Sequence, residues 1–208
     1  CRIIAVANEK GGVGKTATVI NLAAALQQMD KSVLVVDMDP QGNATMGCGV
    51  DKHELACSTC DLMLGDTDLG ACLVGVGDPA PGFDLLPSNS ELTAAEVGLM
   101  RSPQRERRLA QVLSTVGDAY ELVIIDCPPS LNMLTLNALA ASNSVLIPIQ
   151  CEYYALEGLA ALLETIEQVR GSVNPRLEIE GLLRTMFDMR NNLSGAVNYE
   201  ADLSGDDT

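Results

Sequence analysis

The chain has 208 residues, 47% of them apolar but only 3% aromatic, and carries 28 acidic against 13 basic residues for a net charge of −15. That length suits one α/β domain whose core is built from Ala, Val, Leu and Ile, as buried parallel strands and their covering helices usually are. The charge excludes a protein that coats nucleic acid over its whole surface while leaving room for a local basic patch, and no apolar run approaches the ~20 residues of a membrane span.

Cys1 leads straight into an apolar β-type run, Ile3-Ile4-Ala5-Val6-Ala7. No signal-peptide pattern is present, so a cytoplasmic protein that has lost its initiator methionine is expected. Residues 9 to 17, Glu-Lys-Gly-Gly-Val-Gly-Lys-Thr-Ala, follow as a glycine-rich loop, and Val19 to Leu26 reads as a helix. Glycines let successive N–H groups converge on an anion without Cβ clashes, and the next helix aims its positive end at it. In such a loop Lys15 reaches the β- and γ-phosphates and the Thr16 hydroxyl ligates Mg²⁺. The common G-x-x-x-x-G-K-[ST] form has glycine where this chain has Glu9; the loop is instead K-G-G-V-G-K-T, the deviant version with Lys10 as its signature lysine.

Ser32 to Asp37 is a continuous apolar run ending on a carboxylate, as a buried parallel strand should. Asp37-Met38-Asp39-Pro40-Gln41-Gly42-Asn43 follows, and two carboxylates two residues apart in extended chain project to the same side. Asp39 is the candidate to orient or deprotonate water and Asp37 to support it; Gln41 and Asn43 are either switch-loop donors or turn formers. Next comes Cys57-Ser-Thr-Cys60, with Cys48 and His53 nearby. Zinc is considered, but a second C-x-x-C or an H-x₃₋₅-H is missing. The seven cysteines (the others are Cys1, Cys72, Cys127 and Cys151) make an odd count that speaks against a disulfide framework and favours small apolar fillers.

Residues 66 to 82 are rich in Gly and Pro and read as a surface excursion, and Phe83 to Pro87 as a short strand. Leu109, Val112, Leu113 and Val116 share a helical face that starts after Ser102-Pro103. Glu121 to Asp126 is another buried strand, and its Asp126, before Cys127-Pro128-Pro129-Ser130, has the Walker B arrangement for holding a metal or its water ligands. The alternative for Asp126 is a cap on the following turn. Ser144 to Ile149 and Ile179 to Leu183 are further strands, separated by a helix with Leu156, Leu159, Leu163, Ile166 and Val169 on one face and ended by Gly171 and Pro175. Strands alternating with helices imply a doubly wound, mostly parallel sheet of the P-loop type, with ligands at the carboxyl ends of its strands. Residues 1–193 are expected to form this domain, and 194–208 an acidic, disordered tail.

K-G-G-V-G-K-T at 10–16, D-M-D-P-Q-G-N-A-T at 37–45 and D-C-P-P-S at 126–130 together resemble the ParA/Soj family of chromosome- and plasmid-partitioning ATPases. The stretches 134–139 and 150–159 look like that family too, whereas the D-x-D-I-G-x-R-N and D-[ST]-P-A-G segments of MinD-type ATPases do not occur here. The resemblance implies that Lys10, Gly11, Gly12, Val13, Gly14, Lys15, Thr16 and Ala17 bind ATP. It implies Mg²⁺ near Thr16, Asp39 and Asp126, and slow hydrolysis with Asp39 positioning water. It also implies a homodimer enclosing two nucleotides, each Lys10 reaching the partner's phosphates. ATP-bound dimers of the family bind DNA without sequence preference and so associate with the nucleoid, and a centromere-binding ParB partner stimulates hydrolysis and releases them.

The chain departs from the family in three places. Glu9 stands where the family usually has Gln. Ala17 replaces a second Thr or Ser, removing a hydrogen bond to the α-phosphate worth about 0.5–1.5 kcal/mol, or more where the acceptor is charged. After Leu193 the family pattern gives way to the acidic tail, so an incomplete sheet with an unpaired edge is expected. Arg101, Arg105, Arg107, Arg108, Arg184 and Arg190 are the remaining basic candidates for DNA. Two alternatives are a nucleotide-binding module without turnover and a membrane-surface regulator of the MinD type; the latter needs a basic amphipathic C-terminal helix where this chain is acidic.

Overall fold

The computed structural model of the chain describes residues 1–65, 67–77, 82–100, 102–116, 119–150 and 155–187. Among them, strands β1 (Arg2–Val6), β2 (Val33–Asp37), β3 (Val74–Val76), β4 (Phe83–Leu86), β5 (Leu122–Asp126), β6 (Ser144–Gln150) and β7 (Glu178–Thr185) form one sheet in the order β3-β4-β2-β5-β1-β6-β7. Every pairing is parallel except β3 with β4. The helices are α1 (Lys15–Gln27), α2 (Asn43–Gly47), α3 (Thr59–Leu64), α4 (Leu69–Cys72), α5 (Leu92–Leu99), α6 (Arg108–Leu113), α7 (Met133–Ala141) and α8 (Ala155–Ser172). This is the doubly wound α/β sheet that the sequence predicts.

Strand periodicity explains the two cores. In β2, Val33 and Val35 face α1, where they meet Val6, Ile124, Leu85, Val19 and Ala23. Leu34 and Val36 face the other way, onto a larger cluster with Ile125, Leu134, Leu139, Leu162 and Ile166. A strand covered on both faces needs apolar side chains at every position, and each fully buried Val or Leu contributes about 1.5–3 kcal/mol. Helix α7 starts where the Asn132 side chain accepts from the N–H groups of Leu134 and Thr135.

Several expectations need correction. Residues 66 to 82 are not only an excursion: α4 buries Leu69 and Cys72, and β3 adds an antiparallel edge strand. In α8 Leu162 joins the expected Leu159, Ile166 and Val169 in the buried core, and the expected Leu163 packs against that core half-buried. The expected helix over 109–116 ends in a 3-10 turn, Ser114–Val116.

The cysteine reading is also corrected. Cys57 is disulfide-bonded to Cys72, with Cα atoms 4.9 Å apart, because α4 folds back onto the loop before α3. Cys60 is the buried filler expected, its thiol donating to the Glu91 carbonyl at 3.1 Å. Among the described residues no His, Cys, Asp and Glu side chains group to hold a metal by themselves. Cys151, the helix position Leu156 as a side chain, and the tail 194–208 lie outside the described residues.

Among the described residues β7 is the last strand at that side of the sheet, and Ile179, Leu182 and Leu183 on it are 38–39% exposed. Its pairing with β6 slips beside Gly181, whose φ of 154° suits a bulge.

Candidate functional site

Strand register assembles the site. Val6, Asp126 and Asp37 lie side by side on the adjacent strands β1, β5 and β2. Two carboxylates that end apolar strands therefore meet at the sheet edge from which the glycine-rich loop departs.

Gly12 and Gly14 have φ of 76° and 91°, which Cβ-bearing residues avoid. A Cβ placed on Gly11 or Gly12 would meet nothing within 4 Å, so the loop presents bare backbone to open space. Gly14 caps α1 without a side-chain hydrogen bond, leaving the first-turn N–H groups of this 13-residue helix available to an anion. Val13 is buried and anchors the loop, whereas Glu9 and Ala17 are exposed. Glu9 is therefore solvated, and water screens the charge that it brings to the loop.

Lys15 is 7% exposed, and its ammonium donates to the Lys10 carbonyl at 2.9 Å. Burial lowers its pKa, opposed by the nearby charges of Asp126, Cys127 and Asp39. The Thr16 hydroxyl donates to Asp126 Oδ2 at 2.7 Å. Asp126 itself is 1% exposed, and its Oδ1 has no hydrogen-bond partner among the described residues. Burial first, then the charge of Asp37, pushes its pKa up to about 7, against the pull of Thr16 and Lys15. An unpartnered buried carboxylate oxygen is costly unless something positive comes to it. Beside a phosphate loop and a threonine hydroxyl, the donor set fits a hard cation that takes its remaining oxygens from phosphates.

Asp37 is fully buried and accepts from the Thr45 N–H (2.9 Å), the Thr45 hydroxyl (2.7 Å) and the Asp39 N–H (3.1 Å). Burial raises its pKa to about 6, while these bonds pull the other way. Asp39, 6% exposed, accepts from the Gln41 N–H at 2.9 Å, and its carbonyl accepts from the Gly42 N–H and the Ser88 hydroxyl. Gln41 and Asn43 have exposed side chains: Gln41 builds the turn with its backbone and Asn43 opens α2. The structure thus brings together two hydrogen-bonded pairs, Lys15 with the Lys10 carbonyl and Thr16 with Asp126, coupled through the charges of Lys15 and Asp126, with Asp37 holding Asp39 beside them.

Sequence reasoning passed over four residues that hold these groups. Thr45 and Ser88 brace the Asp37–Asp39 segment, with the Thr45 hydroxyl accepting from the Ser88 N–H at 2.8 Å. Asn8 (4% exposed) and Thr185 contact the phosphate loop itself. Asn8, Ser88 and Thr185 stand at or just beyond strand ends, a signal that marks position but names no partner, and Thr45 lies within α2. Beside the loop an open, largely apolar groove of about 610 Å³ is lined by Gly14, Ala17, Leu22, Leu146, Leu183 and Met186.

The described arginines among the basic candidates have partners within the chain. Arg108 donates to the carbonyls of Leu62 and Gly65, Arg107 to that of Val173, and Arg105 pairs with Glu106. Arg184 lies over the Phe187 ring at 4.8 Å. Arg101 and Arg190 lie outside the described residues.

Sheet order, phosphate loop and paired strand-end carboxylates define a P-loop domain of the deviant Walker A type. A family model described as an AAA domain matches residues 1–179. The sporulation initiation inhibitor protein Soj of Bacillus subtilis is 48% identical over 92% of this chain and 75% of its own length. The chromosome partitioning protein ParA of Caulobacter vibrioides is 45% identical over 94% of this chain and 73% of its own. Among solved structures, a Mycobacterium smegmatis protein titled cobyrinic acid a,c-diamide synthase, with bound ATP analog and magnesium, superposes with a TM-score of 0.92 at 42% identity, covering 97% of this chain and 81% of that one. The chain belongs to the ParA/Soj family of partitioning ATPases.

Proposed function

We propose that the chain binds Mg-ATP and hydrolyses it slowly, and that nucleotide state controls dimerisation and non-specific DNA association during chromosome or plasmid segregation. The observation that carries this reading is the buried, unpartnered Asp126 Oδ1 beside Thr16 on an open phosphate loop. Relatives named for chromosome partitioning at 45–48% identity support the setting.

The loop's N–H groups and the end of α1 hold the phosphates, and Lys15 exchanges a neutral carbonyl for an anionic oxygen. Thr16 and Asp126 would hold magnesium, which when bound supplies neutralisation of charge shared among the phosphates. Asp39 orients the attacking water, and Asp37 fixes Asp39 through its N–H. The apolar groove beside Ala17 takes the purine base. Lys10 reaches the phosphates of a partner protomer, so that an intact γ-phosphate favours the dimer and hydrolysis releases it. A ParB-like centromere-binding protein stimulates that release. The protein works in the cytoplasm, on nucleoid DNA when ATP-bound; among the described residues no helix is long and apolar enough to cross a membrane.

Phosphate release from labelled ATP, read beside light scattering, tests this. Wild-type protein is expected to turn over slowly and to dimerise with ATP, and Asp39→Ala to bind ATP without releasing phosphate. Bound nucleotide with neither turnover nor dimer would leave a binding module and refute the switch.

A further inference from the structure

We propose that Thr185, at the end of β7, is a positioning residue that aims a main-chain donor of the phosphate loop. The inference rests on the nucleotide-binding role proposed above for that loop.

The Thr185 hydroxyl lies 2.7 Å from the Val13 carbonyl and 3.3 Å from the Ile149 carbonyl, so its proton serves chiefly the loop. A trans peptide points its C=O and the following N–H in opposite directions. Holding the Val13 carbonyl toward β7 therefore turns the Gly14 N–H away from β7, to the side where an anion is received. The Thr185 methyl group reinforces this. It lies 3.4 Å from where a Cβ on Gly14 would stand, closing the rear of the loop against a residue held at φ 91°.

Asn8 makes the matching contact at the loop's other flank. Its amide nitrogen donates to the Pro148 carbonyl at 2.7 Å, and its oxygen accepts from the Lys10 N–H at 2.9 Å. Asn8 thus ties the start of the loop to the Pro148 carbonyl of β6, and Thr185 ties its far end to β7, which is itself paired with β6. Sheet and loop are coupled through the edge strand, and the orientation of one phosphate donor depends on a hydroxyl on a different element.

The test compares Thr185→Val, which keeps shape and loses the hydroxyl, with Thr185→Ser, which keeps the hydroxyl. Calorimetry with Mg-ADP, steady-state hydrolysis and thermal melting are run on both and on wild type. Thr185→Val is expected to weaken Mg-ADP binding roughly 3- to 10-fold, the range of one hydrogen bond. KM should rise in parallel with kcat at saturation within about twofold, because a prealigned donor serves ground and transition states alike. Thr185→Ser is expected to bind within about twofold of wild type, and both variants to melt within a few degrees of it. Wild-type affinity in Thr185→Val would overturn the inference while leaving nucleotide binding intact. So would equal weakening in both variants, which would assign the effect to packing of the methyl group. Failure of wild-type protein to bind Mg-ADP or Mg-ATP would overturn the nucleotide reading, and this inference with it.

Discussion

Replacing Asp37 by asparagine separates a stability role from a positioning role. The carboxylate is fully buried, and that burial pushes its pKa from 3.8 up to about 6. At neutral pH the ionised form therefore carries a penalty of about 3 kcal/mol. Asparagine removes that penalty at nearly constant volume. Its amide oxygen can keep the N–H and hydroxyl of Thr45, but its NH₂ then faces the Asp39 N–H, which the wild-type carboxylate accepts at 3.1 Å. An unpaired buried main-chain donor costs about 1–3 kcal/mol, so the two effects largely cancel. Thermal melting should move by no more than about 8 °C, while the backbone of Asp39 loses its anchor and kcat falls at least about tenfold. Asp37→Ala, which strands all three donors and opens a cavity, should be destabilised by about 3 kcal/mol or more. Circular dichroism melts and phosphate release at saturating Mg-ATP provide the readouts. Wild-type turnover in Asp37→Asn would refute the link to Asp39, and a collapse of its melting temperature by more than about 15 °C would refute the cancellation.

Gly42→Ala should destabilise the protein by about 2–4 kcal/mol in denaturant titration, because φ is 61° and the new Cβ would stand 2.6 Å from the Ser88 carbonyl oxygen. Nucleotide-free protein should lose stability as pH rises from about 4 to 7: Asp37 (about 6) and Asp126 (about 7) hold protons in the folded state that the unfolded chain has released. Chemical denaturation at pH 5 and pH 8 checks the sign, and greater stability at pH 8 would contradict it. Asp126→Asn should bind ATP with little response to added Mg²⁺, whereas wild-type affinity should rise with the metal; titrations with and without chelator decide.

The loop and its two carboxylates were legible because each stands at the end of an apolar strand, where local pattern and site coincide. Leu34 and Val35 announce a strand buried on both faces without any long-range information. The bracing residues were not legible, since the partners of Thr185 and Asn8 come from strands far apart in the chain and only the order β1-β6-β7 brings them together. The Cys57–Cys72 bond shows the same limit: C-x-x-C spacing drew attention to Cys60, but the return of α4 places Cys72 against Cys57. Strand β3 is three residues long with glycine at its centre, too short for periodicity to show. In α8 the apolar residues at 159, 162 and 163 allow two neighbouring faces, and packing on the sheet buries Leu162 fully while Leu163 lies at the margin of the same core.

Isothermal titration of the folded wild-type chain with Mg-ATP, beside Lys15→Ala, tests most directly whether the loop between β1 and α1 grips a nucleoside triphosphate. About one site per chain, weakened by a factor of about 100 or more in the variant, is the expected result. Heat that is absent in the wild type, or unchanged by the loss of the lysine ammonium, would contradict the assignment of the site.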